Sequence, residues 1–66
     1  MEVYRLVLRY FSHERIMIET PRFNEFMDCL VKALEEHPDW TIEHSTHYSD
    51  VLDALVNKVT IKKVVR

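Results

Sequence analysis

Apolar and polar residues alternate with period two from Glu2 to Phe11. Tyr4, Leu6, Leu8 and Tyr10 share one face of an extended chain, and Val3, Arg5, Val7, Arg9 and Phe11 share the other. The pattern predicts a strand with its even-numbered residues toward the core. Ser12, His13 and Glu14 interrupt it, after which R-I-M-I-E-T resumes as a β-branched strand with Ile16 and Ile18 paired on one face. The first twenty residues therefore read as a β-hairpin. Two-residue hairpin turns favour Gly or Asn, and neither stands here, so a longer loop built on a type I turn is expected.

The period then changes. From Thr20 to His37, Phe23, Phe26, Met27, Leu30 and Leu34 recur at helical spacing and gather within about 60° of one line on a wheel. Thr20 is placed to cap the N-terminus, Pro21 falls where a missing N–H costs nothing, and Pro38 drives His37 out of helical space. A core-facing helix over about 20–37 is predicted, and the other elements are expected to pack against it.

Alternation returns in P-D-W-T-I-E-H-S-T, with Trp40, Ile42 and His44 on one side, which predicts a third strand. Ser49 then resembles an N-cap, Asp50 suits a helix N-terminus, and Tyr48, Val51, Leu52 and Leu55 fall on one face of a short helix that Asn57 would terminate. The last segment, from Lys58 to Arg66, reads as a fourth strand with Val59 and Ile61 inward. The expectation is one α+β domain over residues 1–66, in the order β-β-α-β-α-β, with one sheet packed on the main helix. Strand 2, main helix and strand 3 are expected to form a right-handed parallel crossover.

Composition narrows the function classes. A chain of 66 residues buries only ~60% of its unfolded surface and gains from self-association. Its one cysteine, Cys29, cannot close an internal disulfide and fits a reducing, cytoplasmic setting. No apolar run approaches the ~20 residues that span a bilayer, and M-E-V-Y-R lacks the features of a secretory leader. Glycine is absent, which counts against phosphate-cradling loops, dinucleotide fingerprints and nucleophile elbows.

Candidate chemistry is sparse. Cys29 neighbours Glu25, Asp28 and Lys32 on the helix, a setting that disfavours a thiolate. His44, His47 and Asp50 are the only group with metal-ligand character, yet they lack the fourth ligand and paired cysteines of a structural zinc site. Glu35, Glu36 and Asp39 read as solvated carboxylates. No catalytic residue, metal or cofactor is assigned.

Charge is more informative in its distribution than in its total of -2. Residues 35–53 hold six acids and no Lys or Arg, while residues 58–66 hold four bases and no acid. With strands 1 and 4 as neighbours, Val3, Arg5, Val7, Arg9, Phe11, Lys58, Lys62 and Arg66 share the sheet face turned away from the helix. An apolar middle among cations is the anatomy of a protein contact. The expectation is a small non-catalytic interaction module that binds another protein and itself, a regulator or inhibitor of the kind phages and mobile elements encode. The alternative is a nucleic-acid-binding regulator using the same cations, although that face offers only Phe11 for stacking on bases.

Overall fold

The computed structural model describes residues 1–63. Its elements are β1 (Glu2–Tyr10), β2 (His13–Thr20), α1 (Phe23–Glu36), β3 (Thr41–Ser49) and β4 (Ala54–Lys62). They form an α+β fold in which one helix lies on a mixed sheet ordered β2-β1-β4-β3. The parallel pair is β1 with β4, while β1–β2 and β3–β4 are antiparallel. β2 and β3 run parallel, as the expected crossover through α1 requires, but they lie at opposite edges, so the connection passes over β1 and β4 instead of joining neighbouring strands.

The second helix is corrected as well. Among the described residues α1 is the only helix, and residues 50–53 form a turn between β3 and β4. Ser49 does accept the Leu52 N–H at 3.3 Å, as a cap would, but the chain then reverses with Asp53 at φ 50°. A helix this short gains too few internal bonds to offset its nucleation cost, whereas in extended form Leu55 and Val56 pair on both sides, with β1 and with β3, and Ala54 pairs with Ser49. Tertiary pairing overrides the local apolar spacing.

The first hairpin also turns more tightly than expected. Tyr10 pairs with His13, so Phe11 and Ser12 are the whole loop, and Phe11 takes φ 55°. A left-handed residue bearing a Cβ costs roughly 1–2 kcal/mol, here offset in part by the Lys63 ammonium 5.1 Å from the Phe11 ring centre. Ile16 and Ile18 do not share a face. A bulge at Met17 sets Ile18 opposite Leu6 and Ile16 opposite Val7, so only Ile18 points to the helix.

The main helix begins later than its capping signal. Thr20 Oγ1 accepts the Arg22 N–H at 3.1 Å and donates to Glu25 at 3.1 Å, so the threonine shapes the entry while Arg22 occupies the N-cap position. Arg22 also donates to Glu25 at 2.8 Å, and these two bonds hold the Glu25 carboxyl below its ordinary pKa. The core is built as the alternation implies: Leu6, Leu8, Phe26, Ala33 and Ile61 are buried together, with Tyr4, Ile18, Leu30, Leu34, Trp40 and Val59 packed around them.

Helix α1 rests chiefly on β1 and β2. The helix side of β3 is left open, and Ile42, His44, Thr46 and Tyr48 are all exposed there. Within this layer the Asn57 Nδ2 is buried without a partner, although its Oδ1 accepts from Thr46 at 3.4 Å.

Two stability outcomes follow from these packing facts. Phe26→Ala should cost about 3–5 kcal/mol, close to the whole stability of a chain this size, and thermal denaturation should show little or no cooperative transition. Asn57→Val removes an unsatisfied buried donor and adds a β-branched strand residue, so urea denaturation should show a gain of about 1 kcal/mol.

Candidate functional site

The sheet face away from the helix collects the odd-numbered residues of β1 and the even-numbered residues of β4. Arg5 stands beside Lys58, Val7 beside Thr60, and Arg9 beside Lys62, so the sequence-predicted group is brought onto one surface. Val3 joins it opposite Val56, and Phe11 lies at the β1–β2 turn. Arg66 lies outside the described residues.

The character of this face differs from the expected one in two respects. Val3 and Val7 are buried, Val7 to 2% exposure, although no helix covers them. Val7 sits between Ile16 and Thr60, and Lys58 reaches from β4 to Glu14 on β2 at 3.8 Å, along the diagonal that passes over β1 at Val7. Long aliphatic stems laid over a valine remove it from water while their charged ends stay wet. Val3 and Val7 therefore belong to the internal packing of the sheet, while Phe11 and Ile16 are exposed.

Nor is the face purely cationic. Arg5 bonds Glu19 through Nε at 2.7 Å and Nη2 at 2.5 Å, and Lys62 reaches Glu43 at 3.4 Å. Strand register causes this, because Glu19 opposes Arg5, Glu14 opposes Arg9 and Glu43 lies one strand from Lys62. A shallow depression of about 400 Å³ is lined by Arg9, Glu14, Glu43, Ser45, Lys58 and Thr60, with both signs of charge in its wall.

The histidine pair has no shared site. Three residues apart on a strand, His44 points to the helix side and His47 to the opposite side, so their imidazoles cannot converge on one ion. Cys29 is half-buried against the core cluster.

Sequence reasoning expects binding through the outer sheet face and an edge strand without saying which strand is the edge; the open edge is β3. It is a nine-residue edge strand paired with β4 in unbroken register from Thr41 to Ser49, and every residue before Ser49 is exposed. Its outer edge carries no partner strand among the described residues. The signal in the sequence was its composition: T-I-E-H-S-T-H-Y-S contains no Lys, no Pro and a single acid, so none of the usual edge-blocking residues is present apart from Glu43. The opposite edge, β2, is bulged at Met17 and carries Glu14, Arg15 and Glu19.

Beside the β3 edge, the turn into β4 presents apolar side chains. Val51 is 95% exposed, and Leu52, Tyr48 and Leu55 are also exposed. The Tyr48 hydroxyl donates to Asp53, and that bond first, with burial second, raises the phenol pKa. No helix among the described residues is long and apolar enough to cross a membrane. Comparison of the chain with protein-family models, with curated proteins and with solved structures finds no match in any of the three.

The burial of Val7 has a measurable consequence. Val7→Asp sets a carboxylate in the centre of the sheet, at a cost of several kcal/mol, and should abolish the folded circular dichroism signal instead of merely loosening a surface contact.

Proposed function

We propose that the chain is a small non-catalytic protein-interaction module, a regulator or inhibitor that works by binding another chain, with the free edge of β3 as its binding strand. The observation that carries this reading is the length, regularity and exposure of that edge. An edge strand with open N–H and C=O groups binds an extended segment through main-chain hydrogen bonds, and side-chain pockets on alternate positions add specificity. Tyr48, Leu52 and Leu55 provide apolar surface next to the strand, where such a segment needs anchors. The alternative of phosphate binding by the open face is less well supported. Arg5, Lys58 and Lys62 already stand against glutamates, and a nucleic acid would meet those carboxylates as well as the cations.

Thr46→Pro tests the reading. Thr46 lies on the outward-facing set of β3 backbone groups, so proline there blocks strand addition while sparing the ladder to β4. Immobilised wild-type chain should retain from nuclease-treated lysate a protein, or the chain's own copies, that Thr46→Pro fails to retain. Equal retention by both, or loss of everything on nuclease treatment, would sink the strand-addition reading.

A further inference from the structure

We propose that β3 pairs antiparallel with β3 of a second copy of this chain, about a two-fold axis at Ser45, fusing two four-stranded sheets into one. The inference rests on the reading of β3 as a binding edge and names its occupant.

The backbone geometry fixes which groups are free. The Leu55 N–H donates to Met1 O and the Lys63 N–H to Arg9 O, each at 3.0 Å, so odd-numbered residues of β4 turn their main-chain groups toward β1. Even-numbered residues of β4 therefore turn theirs toward β3, where they oppose Thr41, Glu43, Ser45, His47 and Ser49. The N–H and C=O groups of Ile42, His44, Thr46 and Tyr48 point outward from the sheet.

An antiparallel register that overlaps the full strand with a second copy matches these groups to one another. Ile42 then opposes Tyr48 of the second copy, and His44 opposes Thr46 of the second copy, each as a hydrogen-bonded pair exchanging two main-chain bonds. On the helix side, Ile42 and Tyr48, which are 51% and 57% exposed in the single chain, cover each other at both ends of the seam. His44 meets the Thr46 hydroxyl. On the open face, the Glu43 carboxylate meets the His47 imidazole. At the axis, Ser45 meets itself in a non-hydrogen-bonded pair, where side chains approach most closely and a small residue fits.

Neighbouring registers lose this complementarity. A slip of two residues in one direction sets His44 against itself and Ile42 against Thr46. In the other direction Ile42 faces Asp50, and Tyr48 faces His44. The nine-residue overlap is also the longest the strand allows, and both helices then lie on one side of the joined sheet. A sequence that matches its own reverse at apolar, polar and charged positions fits a second copy better than an arbitrary segment.

The test uses the purified chain. Sedimentation velocity over a concentration series should show a dimer. Thr46→Pro should weaken it by at least about tenfold with unchanged far-ultraviolet circular dichroism, since by symmetry it removes two seam bonds. In a Cys29→Ser background, Ser45→Cys should oxidise to a disulfide-linked dimer, because the pair at the axis brings Cα atoms to about 4.5 Å. Thr41→Cys, about 26 Å from its own copy in this register, should stay unlinked. Should Thr46→Pro fail to fold, the cysteine pair still decides. A wild-type chain that is monomeric throughout, or equal cross-linking of the two cysteine variants, would overturn the proposal. A monomer that still captures a Thr46-sensitive protein from lysate overturns self-pairing alone and leaves strand addition standing. A monomer that captures none overturns both.

Discussion

Parallel pairing of β1 with β4 is the constraint on which the rest of the structure depends. It joins the first strand to the last, so each hairpin contributes one central and one edge strand, and the edges are necessarily β2 and β3. Leu6 and Ile61, the largest fully buried side chains, stand on these two strands and face the helix. Val7 and Val56 are equally buried on the other face, so the central pair is packed from both sides although only one side has a helix. Parallel strands buried on both faces need apolar residues at consecutive positions, which is what L-V-L at residues 6–8 provides.

The helix cannot serve all four strands equally. With its weight on β1 and β2, it completes the N-terminal hairpin and leaves β3 held by its ladder to β4. The two edges diverge accordingly. On β2, Arg5–Glu19 and Lys58–Glu14 tie side chains inward and the Met17 bulge twists the strand, features that discourage another chain from pairing. On β3, among the described residues, only the Lys62–Glu43 pair and two threonine bonds tie the side chains to β4. The asymmetry is one of protection: the same sheet has one blunted edge and one open edge.

Much of this was legible from periodicity. The even face of β1, the helix stripe through Phe26 and Leu30, and the inward Val59 and Ile61 are all present, because each pattern reports burial directly. What failed was whatever depended on partners distant in sequence. Residues 51–55 have apolar spacing that suits a helix turn, but the chain there is decided by Val3 pairing with Val56 and by Tyr48 pairing with Leu55. Ile16 and Ile18 were separated by a bulge that no local signal announces. The cations of the open face stand on β1 and β4. Its glutamates arrive from β2 and β3 through strand register, which no local pattern encodes, so the apparent excess of positive charge on the face is largely answered across the sheet.

The absence of glycine links the fold to the proposed role. Both hairpins must reverse without it, and both do so by forcing a residue with a Cβ into the left-handed region, Phe11 in one and Asp53 in the other. Asp tolerates that region better than Phe does, and Asp53 also accepts the Tyr48 hydroxyl, which ties the turn back to the end of β3. The strand is thereby held extended to its last residues without cover from the helix. An edge that is held straight by its own turn, lacks a bulge and is left uncovered is pre-organised for pairing, because little further ordering is required when a second strand arrives. The same order that makes β3 a poor contributor to the core makes it a suitable template for another chain.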